Sequence, residues 1–229
     1  MARIAANLQS VRRLVREAAA ASGREVTLVA VSKQRPPEAI REAVEAGCRD
    51  IGESYVQEAL PKIAALRGAG ITWHYIGHLQ TNKAREVATH FDWVHAVDRV
   101  KAAAALDRAR PPDLGPLEVC VQVNISGEAT KGGVAPAEAL ALCREVAAFP
   151  RLRLRGLMGM AEPTDDTGKQ RAQFARLRAA FDEARAAGLA LDTLSMGMSD
   201  DFQAAIAEGS TLVRIGTAIF GARQGKEAA

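Results

Sequence analysis

Eight short runs of β-branched and other apolar residues recur along the chain, separated by longer segments rich in alanine, arginine and glutamate. The short runs predict strands over residues 26–32, 50–53, 72–76, 93–97, 118–124, 154–158, 193–196 and 212–215. In the longer segments apolar positions fall three and four apart, which predicts helices over 37–46, 55–66, 80–89, 99–109, 136–148, 168–187 and 200–208. Their ends carry matching signals. Pro36-Pro37 precedes Glu38, and Ala135-Pro136 precedes Glu138, so proline and an acidic side chain occupy first turns. Gly47, Gly188 and Gly209 stand where helices should stop. An amphipathic stretch over 4–21 predicts a leading helix (residues 1–22) packed outside the sheet before the first strand.

Strands that alternate with helices imply parallel βαβ units. Eight such units close into an α/β fold of the (β/α)8 TIM barrel type, while a doubly wound sheet with fewer strands fits the same periodicity. The units nearly exhaust the 229 residues, so a single domain over 1–229 is expected, ending in a polar tail at 224–229.

Composition narrows the function classes. Hydrophobic residues make up 48% and charged residues 25%, a globular balance that excludes an extended disordered chain. No apolar run approaches the roughly 20 residues of a membrane span. The first residues, with Arg3, Arg12 and Arg13 among alanine and leucine, lack a signal-peptide core, so a cytoplasmic location is expected. A net charge of only +3, scattered basic residues and 4% aromatics argue against nucleic acid as partner. Cys48, Cys120 and Cys143 are odd in number and widely spaced, which suits buried thiols rather than a disulfide framework. Asn124-Ile125-Ser126 matches a glycosylation sequon that a cytoplasmic chain would not use.

In a barrel the chemistry sits where strands end. The first strand runs out at Ala30-Val31-Ser32-Lys33, which puts an amine at the lip of the barrel. Partial desolvation there favours the neutral amine that attacks a carbonyl; a solvated lysine opening a loop is the plainer alternative. After the last strand, Gly216-Thr217 is placed to open a short helix facing an anion, and Arg214 points inward from the strand itself. The loop after the seventh strand, Ser195-Met196-Gly197-Met198-Ser199-Asp200, adds two hydroxyls and a glycine for close backbone approach. Together these predict a phosphate site facing Lys33.

Five segments then carry a resemblance. They are Ala30 to Lys33, Ile51 to Glu58, Trp73 to Gln80, Ser195 to Asp201 and Arg214 to Thr217, in order along essentially the whole chain. The chain resembles the pyridoxal phosphate homeostasis protein family, the proline synthase co-transcribed type. That resemblance implies a barrel like the N-terminal one of alanine racemase, with pyridoxal 5'-phosphate held as a Schiff base on Lys33. It further implies that Ser199, Gly216 and Thr217 bind the phosphate and that Arg214 meets the pyridine nitrogen. Ser54 stands where the family usually has asparagine, which puts any contact of that amide in doubt.

Arginine beside a pyridine nitrogen can only donate, so the nitrogen stays unprotonated and the ring is a weak electron sink. A non-enzymatic carrier that stores, buffers or delivers the cofactor to apo-enzymes is the expected function, with no catalytic residue. The alternative is an amino-acid racemase. Racemisation needs a base on each face of the carbanion, and the only tyrosines are Tyr55 and Tyr75. No added C-terminal domain is seen to supply another, and no exposed apolar seam asks for a second copy, so a monomer is expected. His78, on the mouth side of the third strand, is expected either to touch the cofactor or to bond loop backbone. His74 and His78 are four apart but straddle a strand end with no acidic third ligand, so no metal is expected. Lys131, in the Gly-rich loop after the fifth strand, is either a second amine for the aldehyde or a solvated loop lysine.

Overall fold

A computed structural model describes residues 2–20, 22–128 and 131–222. Ala21, Ala129, Thr130 and the tail over 224–229, included in the expectations above, lie outside the described residues. The strands are β1 (Thr27–Val31), β2 (Asp50–Glu53), β3 (Thr72–Tyr75), β4 (Trp93–Val97), β5 (Leu117–Gln122), β6 (Leu152–Met158), β7 (Thr193–Ser195) and β8 (Leu212–Ile215). All pair in parallel in chain order, and β8 returns to β1 with Ala30 opposite Ile215. The sheet is therefore a closed (β/α)8 barrel, not an open doubly wound one.

The leading helix α1 (Ala2–Ala20) precedes β1. Helices α2 (Pro37–Glu45), α3 (Val56–Ala65), α4 (Ala84–His90), α5 (Val100–Ala109), α6 (Ala139–Ala147), α7 (Thr167–Ala186) and α8 (Phe202–Ala207) join successive strands, and α9 (Thr217–Phe220) follows the last. Helix α1 packs against α2, α8 and α9. Arg12 fixes it there by donating to the carbonyls of Ala46 at 3.0 Å and Gly47 at 2.8 Å, a cation placed on the negative end of α2.

Three departures from the sequence reading have local causes. The fourth helical segment opens with a tight turn over Thr81–Lys83, in which the Lys83 N–H donates to the Gln80 carbonyl, before α-geometry begins. The sixth opens with a similar turn at Pro136–Glu138, where the Glu138 carboxylate accepts from the Ala135 N–H. Asp200 and Asp201 stay outside α8 because the Asp201 side chain accepts from the Met198 N–H at 2.6 Å, bending the chain before the helix can start.

Strand residues alternate between two environments. One set, including Ile51, Val94, Val119, Val121, Leu157, Leu194 and Val213, packs outward under the helices as the main core. The opposite set fills the barrel, where Ala96, Cys120 and Met158 form a small apolar cluster. Buried polar side chains share that interior with them and with Val29: His74, His95, Ser195 and Arg214. Bulky branched residues usually fill this space, so the polar filling is a feature the site must explain. Two register slips shape it. Strand β4 carries one extra residue between Val94 and Val97 against β5, and β6 carries an extra residue at Arg155 between the pairs Val119–Leu154 and Cys120–Gly156. Among the described residues no helix is long and apolar enough to cross a membrane.

Candidate functional site

At the C-terminal ends of the strands lies a cavity of about 210 Å³. Val31, Lys33 and Arg35 line it from the end of β1, with Ser54 after β2 and Ile76 after β3. Met160 after β6, the loop residues Met198, Ser199 and Asp200, and Arg214, Gly216 and Thr217 at the end of β8 complete the wall. Lys33, Ser199, Arg214, Gly216 and Thr217, five residues picked out in the sequence, therefore meet around one space.

Lys33 is partly buried, and its backbone is clamped on both sides. Before it, the Ser32 hydroxyl donates to Glu53 Oε1 at 2.5 Å, and the Ser32 carbonyl accepts from Lys62 Nζ at 3.0 Å. After it, Gln34 adopts a positive φ of 61°, rare without glycine, and its N–H donates to the Glu58 carboxylate. Lys62 joins the two halves, 2.7 Å from Glu53 Oε1 and 2.5 Å from Glu58 Oε1. Glu53 is wholly buried, and burial raises its carboxyl above the usual range even beside Lys62. This cluster holds the lysine's main chain; no motif in the sequence announced it.

Across the cavity two glycines set the approach of the loops. Gly216 brings the end of β8 against β1 so closely that a Cβ there would sit 3.1 Å from the Val31 carbonyl oxygen. Gly197 has φ +99°, and a Cβ would meet that of Ala205 at 2.8 Å; its role is to seat the seventh loop on α8 rather than to line the cavity. Its carbonyl accepts from the Arg214 N–H at 2.9 Å.

Arg214 is buried at the cavity floor, with Nη1 donating to the Ser195 carbonyl at 2.7 Å and hydroxyl at 2.6 Å, and Nη2 to the Gly159 carbonyl at 3.2 Å. Burial pushes its pKa down to about 10, so the guanidinium remains cationic at neutral pH. Ser195, read from the sequence as a cavity hydroxyl, is fully buried below this guanidinium and serves as its acceptor.

His78 departs from expectation. Its side chain is 63% exposed, lies 3.7 Å from Asp98, and lines a neighbouring cleft with Tyr55 and Tyr75. Strand β3 ends at Tyr75, so Ile76 takes the inward position and the chain has turned away by residue 78. Tyr75 donates from its hydroxyl to the His78 carbonyl at 3.0 Å, and burial raises its pKa to about 12. Lys131 sits 3.6 Å from Glu128 in the fifth loop, away from the cavity walls. His74 points into the barrel toward His95, away from His78, and among the described residues no group of three metal-ligating side chains occurs.

His95 is completely buried, and burial holds its pKa well below the ordinary imidazole value. Below about pH 6.5 the unfolded chain therefore binds a proton that the folded barrel refuses. Stability is expected to fall on acidification by up to about 1.4 kcal/mol per pH unit from this residue. Urea unfolding at pH 7 and 5.5 checks it, and His95→Gln should flatten the slope.

Comparison with known proteins places this geometry. A pyridoxal phosphate homeostasis protein of Pseudomonas aeruginosa is 55% identical over 226 residues, covering 97% of each chain. The chain belongs to the pyridoxal phosphate homeostasis protein family. Another member, from Escherichia coli K12, is 50% identical over 96% of this chain and 97% of its own. The family model for the N-terminal domain of alanine racemase matches residues 1–224. Among solved structures, PipY of Synechococcus elongatus with PLP bound superposes with a TM-score of 0.84 at 38% identity, covering 95% of this chain and all of that one.

Proposed function

We propose that the protein is a carrier: it holds pyridoxal 5'-phosphate in the strand-end cavity, tethered to Lys33 as a Schiff base, and stores it for delivery to apo-enzymes without robust catalysis. The observation that carries this reading is the convergence of Lys33, Ser199, Gly216, Thr217 and Arg214 on one cavity. The donor set fits the group. It offers an amine for an aldehyde, two hydroxyls and a Cβ-free backbone approach for a phosphate, and a guanidinium for a ring nitrogen. Bound there, the cofactor supplies an aldehyde that an amine captures reversibly.

The chain's own residues favour holding over turnover. Arg214 can only donate, so a ring nitrogen facing it keeps its lone pair unprotonated, and electron withdrawal from the substrate side stays weak. Racemisation would need a second base across from Lys33, and both tyrosines lie in the neighbouring cleft. The clamp around Ser32 and Gln34 fixes where the Lys33 chain begins, which favours recapture of the same aldehyde. The reading has the protein acting as a cytoplasmic, single-domain monomer.

Cofactor-loaded protein incubated in heavy water with L- or D-alanine tests the assignment. Deuterium is expected to enter Cα no faster than with free cofactor at equal concentration, while the loaded protein reactivates an added apo-enzyme. Fast incorporation with inversion would establish a racemase instead.

A further inference from the structure

A continuous run of hydrogen bonds passes through the barrel from its base to Arg214. Arg214 Nη1 lies 2.6 Å from Ser195 Oγ, and Ser195 Oγ lies 2.8 Å from His95 Nδ1. His95 Nε2 is 2.9 Å from His74 Nδ1, and His74 Nε2 is 3.1 Å from Asp50 Oδ1. The bulge in β4 places His95 in this line. At the foot, Asp50 is 32% exposed and lines a basal cavity at the opposite end of the barrel from Lys33. Trp93 stacks on His74 at 5.5 Å between ring centroids, and the Arg155 guanidinium lies 4.9 Å over the Trp93 ring, so the lower imidazole has little room to turn.

The two ends decide the direction of every bond between them. Arginine only donates, so Ser195 Oγ accepts from Arg214. The Ser195 hydroxyl hydrogen is then directed to His95 Nδ1, its remaining neighbour in the run. Nδ1 is thereby an acceptor, which puts the His95 proton on Nε2, where it donates to His74 Nδ1. His74 carries its own proton on Nε2 and gives it to Asp50, whose carboxylate only accepts. The reverse polarity would have His95 donate to Ser195 Oγ, which already receives Arg214, and would leave the buried hydroxyl hydrogen with no acceptor in the run. Buried polar groups in native interiors are satisfied, and only the first polarity satisfies all of these.

We propose that Asp50, His74, His95 and Ser195 form a positioning column that orients Arg214 toward the cofactor ring from the far end of the barrel. The serine lone pair is kept aimed at Nη1 because its hydrogen is committed below, and the carboxylate at the base locks both imidazole tautomers. The column accounts for buried polar side chains in a space that branched apolar residues usually fill. The part played by Arg214 at the ring rests on the carrier reading above; the bond polarity does not.

Two arms of one experiment separate them. In cofactor-free protein at neutral pH, ¹⁵N long-range NMR should show His95 and His74 both as Nε2–H tautomers, and Asp50→Asn, whose amide either donates or accepts, should release His74 into a mixture. In protein loaded with pyridoxal phosphate, His95→Phe should weaken binding by about tenfold and shift the visible absorbance, Asp50→Asn by about threefold, and His95→Gln, which can accept and donate at the same places, should restore most of the loss. The column would be overturned by an Nδ1–H tautomer on His95. It would equally be overturned if the Asp50→Asn and His95→Gln proteins matched a well-folded His95→Phe protein in affinity and spectrum. If the wild type binds no pyridoxal phosphate while the tautomers are as stated, the carrier reading falls and the column stands.

Discussion

Lys33→Ala protein, incubated with pyridoxal phosphate and reduced with borohydride, is expected to carry no cofactor adduct where the wild type carries about one per chain. The barrel should survive the change. The clamp around this position uses the Ser32 carbonyl and hydroxyl and the Gln34 N–H, none of which belongs to the Lys33 side chain. Truncating a partly buried side chain at a strand end falls among substitutions of modest effect on stability. Weak, non-covalent binding through Ser199, Gly216, Thr217 and Arg214 should persist and be lost on dialysis. An undiminished adduct in this variant would place the tether on another lysine.

Lys62→Ala is expected to destabilise the fold by about 3–5 kcal/mol, because it leaves the buried Glu53 carboxylate without its cation. For a chain of this size that lowers Tm by roughly 10 °C. The pH dependence has a definite sign. Burial already raises the Glu53 pKa, and loss of Lys62 raises it further. The variant's deficit should thus be smallest in acid, where the carboxyl is protonated, and grow as pH rises through that raised pKa. Adding Glu53→Gln removes the charge and should recover much of the loss. Because Lys62 also holds the Ser32 carbonyl at 3.0 Å, the single variant should capture cofactor more slowly than its residual stability alone accounts for.

These two lysines show what a sequence displays and what it hides. Lys33 is visible because an apolar strand runs straight into it, and Gly216-Thr217 because a strand ends there in residues suited to close approach. The strand count and the leading helix follow from the same periodicity; closure does not, because an open doubly wound sheet fits that pattern too and only the pairing of β8 with β1 decides it. Lys62, by contrast, sits one residue after Pro61 in a helix and looks like any surface lysine until α3 folds back on β2 and buries it. His78 shows a different gap: its position after β3 places it at the mouth end, but the strand ends three residues earlier and the side chain lines the neighbouring cleft that shares Ser54 with the cavity. The column from Asp50 to Arg214 depends on β2, β3, β4, β7 and β8 sharing one interior and on a one-residue slip in β4, neither of which a linear pattern encodes. Met160 and Met198 join the cavity for a simpler reason, standing just past strand ends where position could have flagged them but residue type did not.

The central claim is that Lys33 is the amine that holds the cofactor. Wild-type protein loaded with pyridoxal phosphate, reduced with borohydride, digested and mapped by mass spectrometry tests it most directly. The modification is predicted on Lys33 alone; an unmodified Lys33 peptide with the adduct on Lys62, Lys131 or elsewhere, or no adduct at all, would contradict it.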